Sequence, residues 1–236
     1  MKSTKIEWTE VTWNPSTGCT KISEGCANCY AAKMAKRLKA MGTQKYENEF
    51  QLTIHPDTLN EPYTWKKPQI VFVNSMSDLF HEDMPLSFIK EVFSVMNNNP
   101  KHIFQVLTKR ADVLAKYSAL LNWSENIWMG VTVESSKHLY RVNSLRNSGA
   151  AVKFLSCEPL LTPLSNLNLY EIDWVIVGGE SGANSRPIEK EWVLEIKDKC
   201  ETHNVPFFFK QWGGFNKKKT GCSLNGEIYK KIPVFA

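Results

Sequence analysis

The chain has 236 residues, 42% hydrophobic and 22% charged, with a formal net charge of +5. It is long enough to bury a sizeable core, its composition is that of a soluble globular protein, and its mild positive charge permits an anionic partner such as nucleic acid without demanding one. The opening residues, "MKSTKIEWTE", lack the apolar run of a secretory signal, and no stretch approaches the roughly 18 uncharged residues of a membrane helix, so a cytoplasmic location with no membrane partner is expected.

In chain order, "EVTWNP" (10–15) predicts a first strand. Residues 42–68 break the pattern that follows and read as a long insertion. Short apolar runs then recur at 69–75, 102–108, 126–133, 151–158, 173–179 and 205–212. They are rich in β-branched and aromatic residues and continuous rather than alternating, which means burial on both faces, as in a parallel sheet covered by helices. Between them, helical periodicity marks 85–99, with Pro85 at its entry, then 110–121, 135–149 and 189–204. Strand and helix alternate at roughly thirty-residue spacing, as in successive βαβ units. About seven strands allow a barrel, partial or closed, or an open doubly wound sheet. No boundary splits residues 1–236 into two domains, and the Lys-rich segment from Gly213 onward (213–236) reads as a surface extension.

In parallel α/β folds, ligands sit at the carboxyl ends of the strands. Each predicted strand here is followed by polar residues: Asn74, Ser75, Ser77 and Asp78; then Thr108, Lys109 and Arg110; then Thr132, Glu134 and Ser135; then Ser156 and Glu158; then Gly178, Gly179, Glu180 and Ser181; and finally Lys210, Gln211 and Trp212. Six such groups in register predict one polar cavity on one face. The loop "TGCTKISEGCANCYA" follows the first strand and opens onto the same face.

That loop holds Cys19, Cys26 and Cys29 in the spacing Cys-x6-Cys-x2-Cys, in a setting too polar for a core. Six cysteines in a reducing compartment point to metal or catalytic roles over disulfides. Cys157 and Cys200 lie in apolar or helix-like surroundings and read as packing residues. Three thiolates can hold a 4Fe-4S cluster and leave one iron free for a small molecule. Zinc, with a fourth ligand such as His55, His81 or Cys222, is the second reading, and three unliganded thiols the third.

A cysteine triad after the first strand of a barrel, with an aromatic after its last cysteine (Cys29-Tyr30), resembles the radical S-adenosylmethionine superfamily. The usual triad is Cys-x3-Cys-x2-Cys with an aromatic before the last cysteine; this chain has three more residues in the first gap, and Asn28 in the aromatic position. "VNSMSDLFHEDMP" and "VLTKR" resemble segments of the branch containing spore photoproduct lyase. "WNPSTGCTKISEGCANCYA", "FLSCEPLL", "DWVIVGGESG" and "PFFFKQWG" are similar to a phage-associated family of radical-SAM-like proteins whose function is largely unassigned.

The resemblance implies a partial or closed (β/α) barrel of about 6–7 parallel strands, with Cys19, Cys26 and Cys29 holding a 4Fe-4S cluster whose open iron binds S-adenosyl-L-methionine. It places Asn74, Ser75, Ser77 and Asp78 beside the methionyl amino group, and Thr132, Glu134, Ser156 and Glu158 near ribose or carboxylate. Gly178 and Gly179 would let a ligand approach the backbone, with Glu180 on a ribose hydroxyl. Lys210 and Glu158 are the candidate catalytic side chains. Each has a plainer reading: Asp78 as a helix cap, Glu134 and Glu158 as ion-pair partners of Lys109, Lys153 or Lys210, the two glycines as a tight turn, and Trp212 as a barrel closure instead of a base-stacking ring. The expected substrate is a nucleotide or nucleic-acid base, and the expected electron donor a flavodoxin or ferredoxin. A zinc-stabilised nucleic-acid-binding barrel and a non-catalytic cluster-bearing protein are the alternatives.

Overall fold

The structure is a computed structural model that describes residue 4 and residues 6–234. Among the described residues seven parallel strands form one sheet: β1 (Val11–Trp13), β2 (Ile70–Val73), β3 (Ile103–Thr108), β4 (Ile127–Thr132), β5 (Val152–Cys157), β6 (Trp174–Gly178) and β7 (Phe207–Gln211). Their spatial order is their sequence order, and β1 does not pair with β7. The sheet therefore curls into a half-barrel, neither closed nor doubly wound.

The apolar runs are continuous because alternate residues serve two different cores. Val71, Val73, Phe104, Val106, Met129, Val131, Leu155, Val175, Val177, Phe207 and Phe209 face outward into the main core. There they meet α2 (Leu86–Asn97), which contributes Phe88, Val92, Phe93 and Met96, and a later helix (Lys190–Thr202), which contributes Val193, Ile196 and Cys200. The intervening residues Phe72, Leu107, Trp128, Phe154, Trp174, Ile176 and Phe208 face inward and fill the floor of the half-barrel. Trp8, just before β1, plugs that floor, with its ring edge-on to Phe72 at 4.7 Å and to Trp174 at 6.2 Å. Gly130 makes room for the filling: a Cβ there would lie 2.4 Å from the Phe154 ring.

Other segments differ from the sequence expectation. Residues 30–40 form a helix, α1 (Tyr30–Ala40), that buries Ala31 and Ala35. The 135–149 segment divides into a 3-10 turn at Ser136–His138 and a helix at Arg141–Arg146. The insertion is not a detached loop, since Thr53–Ile54 pairs antiparallel with Ser16–Thr17 and Trp65 packs into the main core. The extension also does more than lie on the surface. Tyr229 O accepts from Phe209 N at 2.8 Å, Lys231 N donates to Phe207 O, and Lys230 reaches Glu7 at 2.6 Å, covering an edge strand whose backbone groups would otherwise be open to other chains.

Candidate metal centre and cofactor site

Thr132, Ser156 and Lys210 continue the inward row within their strands, and Asn74, Lys109, Glu134, Glu158 and Glu180 stand just past the carboxyl ends of β2 to β6, although the strict alternation breaks at Asn74, whose φ is 60°, and at Gly178, where the register shifts. The cysteine loop lies across this mouth and is tied down by its own polar residues. Ser23 Oγ donates to the Glu134 carboxylate, Ser135 Oγ donates to Glu24 at 2.7 Å, and Asn28 Nδ2 donates to Glu180 at 2.9 Å. Cys26 ends the 3-10 turn Glu24–Cys26, and Cys29 is the N-cap of α1.

Arg110, 6% exposed at the head of a helix (Ala111–Tyr117), is the main fastener. It donates to Asp78 at 3.1 Å, to Glu82, to the carbonyl and hydroxyl oxygens of Thr20, and to Cys19 Sγ at 3.3 Å. Asp78 also accepts from Phe80 N, Thr108 Oγ and Lys109 N, so its carboxylate is fully engaged. Ser77 Oγ donates to Gly18 O at 2.7 Å, and Ser75 Oγ to Asn14 Oδ1 at 3.1 Å. Of the β2 group, Ser77 and Asp78 brace the loop and Ser75 braces the chain just before it. Asn74 is different: it is buried in the left-handed region at φ 60°, and its Nδ2 has no partner. Its Oδ1 accepts from Ser16 N at 3.3 Å, so only the amide nitrogen is left over, and a buried donor left unmatched costs about 1–3 kcal/mol.

Two of the three carboxylates, Glu134 and Glu180, take partners that sequence spacing did not single out. Glu134 is fully buried and pairs with Arg141 at 2.7 Å, instead of with a lysine. Glu158 pairs with Lys210 at 3.2 Å, one of the lysines expected. Glu180 accepts from Arg186 Nε at 2.9 Å and from the Arg186 backbone at 3.0 Å. Lys109 Nζ reaches Thr132 Oγ at 3.4 Å, and Ser156 is buried beside it in register. The protein itself takes up the space at the two glycines: a Cβ on Gly178 would lie 2.4 Å from the Glu158 carboxylate, and one on Gly179 2.0 Å from Trp212 O. The Trp212 ring lies against Phe209, with centroids 4.8 Å apart, and donates to Ser223 O. Of the possible zinc partners, His55 is bonded to Thr17 and His81 to Thr20.

The thiols differ in acidity. Burial, followed by the Asp78 carboxylate, pushes Cys19 up to about 11 against the pull of Arg110. Burial also works to raise Cys26, but the Ile22 backbone, the Lys109 charge and Ser23 outweigh it and leave the thiol below its ordinary value. At Glu180, burial raises the carboxyl, yet Arg186 and Asn28 overcome this and hold it at about 2, below the ordinary 4.5. A carboxyl depressed in the folded state contributes stability at neutral pH that is lost as pH falls from about 5 toward 2. We therefore expect Glu180→Gln to unfold less steeply than the parent over that range when acid titration is followed by circular dichroism; identical acid curves would contradict the assignment.

All three cysteines are free, half-buried and on one eleven-residue stretch, and Cys19 and Cys26 lie close enough to influence each other's ionisation. Among the described residues no three or more histidine, cysteine, aspartate or glutamate side chains stand together as a formed metal-binding group. The donor types are those three-thiolate ligation uses, three free thiols on one short polar loop, although they do not converge on one position here.

The class of protein is thus a parallel (β/α) half-barrel whose mouth is crossed by a three-cysteine loop. Spore photoproduct lyase complexed with dinucleoside spore photoproduct shares this fold, with a TM-score of 0.52 at 13% identity over 84% of this chain. A variant of that lyase with bound AdoMet and dinucleoside spore photoproduct matches with a TM-score of 0.51 at 12% identity over 84% of the chain. This chain spans 62% of the length of each of those structures. No curated protein matches the sequence. The chain belongs to DUF5131, a family of proteins of unknown function, whose profile matches residues 3–233.

Proposed function

We propose that this protein is a radical S-adenosylmethionine enzyme that modifies or repairs a nucleotide or nucleic-acid base. The observation that carries the reading is the loop of three free cysteines pinned over the mouth of a half-barrel of this fold. Cys19, Cys26 and Cys29 would hold a 4Fe-4S cluster, which with S-adenosyl-L-methionine supplies a 5′-deoxyadenosyl radical able to abstract hydrogen.

The remaining work is done by the chain's own groups. Asn74 Nδ2 offers a buried, unclaimed donor for an anionic or carbonyl oxygen. Thr132 and Ser156 are paired in register at the carboxyl ends of β4 and β5. The Glu158–Lys210 pair stands on the inner row at β5 and β7, positioned to hold or move a proton on a substrate. The aromatic floor of Trp8, Trp128, Trp174 and Phe208 excludes water from below, which protects a radical from quenching. An external flavodoxin- or ferredoxin-like donor supplies the electron. Among the described residues no helix is long and apolar enough to cross a membrane.

Anaerobic reconstitution tests this reading. We expect a brown protein with about four irons per chain, and dithionite-dependent release of 5′-deoxyadenosine. The triple substitution Cys19→Ala, Cys26→Ala, Cys29→Ala should lose both. Stoichiometric zinc without iron would replace the reading with a zinc-stabilised barrel, and iron without cofactor cleavage would replace it with a non-catalytic cluster protein.

A further inference from the structure

One feature of the mouth takes no part in the site above. Beyond β7 the chain turns through Gly213 and Gly214, at φ 82° and 85°, and then presents Phe215 with 83% of its surface exposed. Lys217, Lys218 and Lys219 follow in a short helical turn, all exposed. Among the described residues none of these lysines makes an ion pair, and no aspartate or glutamate occurs between Glu201 and Glu227.

This is not a loose tail. Gly214 N donates to Glu180 O at 2.8 Å, Gly182 N donates to Gly214 O at 3.1 Å, and Thr220 Oγ donates to Gly213 O at 2.6 Å. Glycine is required at the turn, because a Cβ on Gly213 would lie 2.2 Å from Glu180 O. Glu180 is also the anchor of Asn28 in the cysteine loop, so the backbone that carries Phe215 and the lysines is held to the rim beside that loop. Lys33 of α1 extends the positive charge along that rim, its ammonium standing next to Gly182.

We propose that Phe215 with Lys217, Lys218 and Lys219 forms a platform for single-stranded nucleic acid at the edge of the mouth. The ring stacks on an unpaired base while the ammonium groups hold flanking phosphates. An exposed aromatic ring costs the free protein contact with water and is matched by the face of any base, whereas bases within a duplex already have both faces covered. Cationic side chains without an ion-pair partner are matched by a phosphodiester backbone. The proposal rests on the reading of a nucleic-acid-type substrate and extends it to where, and in what state, the strand is held.

Fluorescence anisotropy with labelled 12-mer DNA and RNA, single-stranded and duplex, tests it on the full chain at several salt concentrations. Single strands should bind more tightly than duplexes. Phe215→Ala should weaken single-strand binding about tenfold, the loss of one stacked base. Changing the three lysines to Gln should flatten the slope of log affinity against log salt by about 2. All four residues are exposed, and matching thermal melts of the variants would verify folding. Unchanged binding in both variants, equal affinity for duplex, or displacement of the strand by poly-glutamate with no effect of Phe215→Ala would overturn the platform; the last would indicate an acidic protein partner. AdoMet cleavage without oligonucleotide is measured on the same preparations: cleavage without strand binding defeats the platform alone, and strand binding without cleavage defeats the enzyme reading alone.

Discussion

Replacing Arg110 with Met should lower stability by about 3–5 kcal/mol and sharply reduce iron uptake on reconstitution. The guanidinium is buried and holds two carboxylates and the cysteine loop together: Asp78 at 3.1 Å, Glu82, Thr20 and Cys19. Burial alone would lower its affinity for a proton, but Glu82, Asp78 and Cys19 raise it above the ordinary value, so it is a fixed cation. Methionine fills much of the volume but leaves the buried Asp78 carboxylate facing its remaining neutral donors without a countercharge. It also frees Thr20 and Cys19 from the barrel rim. In a chain of this size the loss corresponds to a fall in Tm of roughly 10 °C. Arg110→Lys should be intermediate, since it retains the charge but not the planar fork that reaches four partners. A melting temperature and iron content equal to those of the parent would show that the loop is held by something else.

The second large effect is expected at Gly18, immediately before Cys19. Its φ is 86°, and a Cβ there would lie 2.0 Å from Gln51 O and 2.3 Å from Gln51 C. Both neighbouring atoms are backbone, so no side-chain rotation relieves the contact. Gly18→Ala therefore combines left-handed strain with overpacking, together roughly 2–5 kcal/mol. Gly42 separates the two effects. It has a similar φ of 71° but nothing within 4 Å of its Cβ position, so Gly42→Ala should cost only about 1 kcal/mol. Urea unfolding of the two variants measures the difference. Equal midpoints would show that the 42–68 segment can withdraw from the loop, and that it does not set the position of Cys19.

Some of this organisation was legible because it depends on local chemistry. β2 to β7 each lie within one of the six apolar runs and β1 within 10–15, since a strand buried on both faces is apolar at most positions whatever it packs against. The rule that ligands meet parallel strands at their carboxyl ends placed Asn74, Glu134, Glu158, Glu180 and Lys210 on one mouth. Helix α1 was harder to read. Its buried stripe rests on small alanines, Ala31 and Ala35, among four basic residues, and this gives little hydrophobic contrast. The polar residues of the cysteine loop, Thr20, Ser23, Glu24 and Asn28, marked it only as unlike a core. In the structure each is a tether.

The alternation of strand and helix and the gathering of three thiols in one short polar loop could be read before any fold was known, because periodicity and spacing are properties of the linear chain. Which charges meet was settled by folding in three dimensions. Asp78 finds Arg110 across 32 positions, Glu180 reaches back to Asn28 across 152, and Glu134 takes Arg141 over the lysines. A side chain's formal charge says that a buried partner is needed, but the curl of the sheet chooses that partner by bringing distant strand ends to one rim.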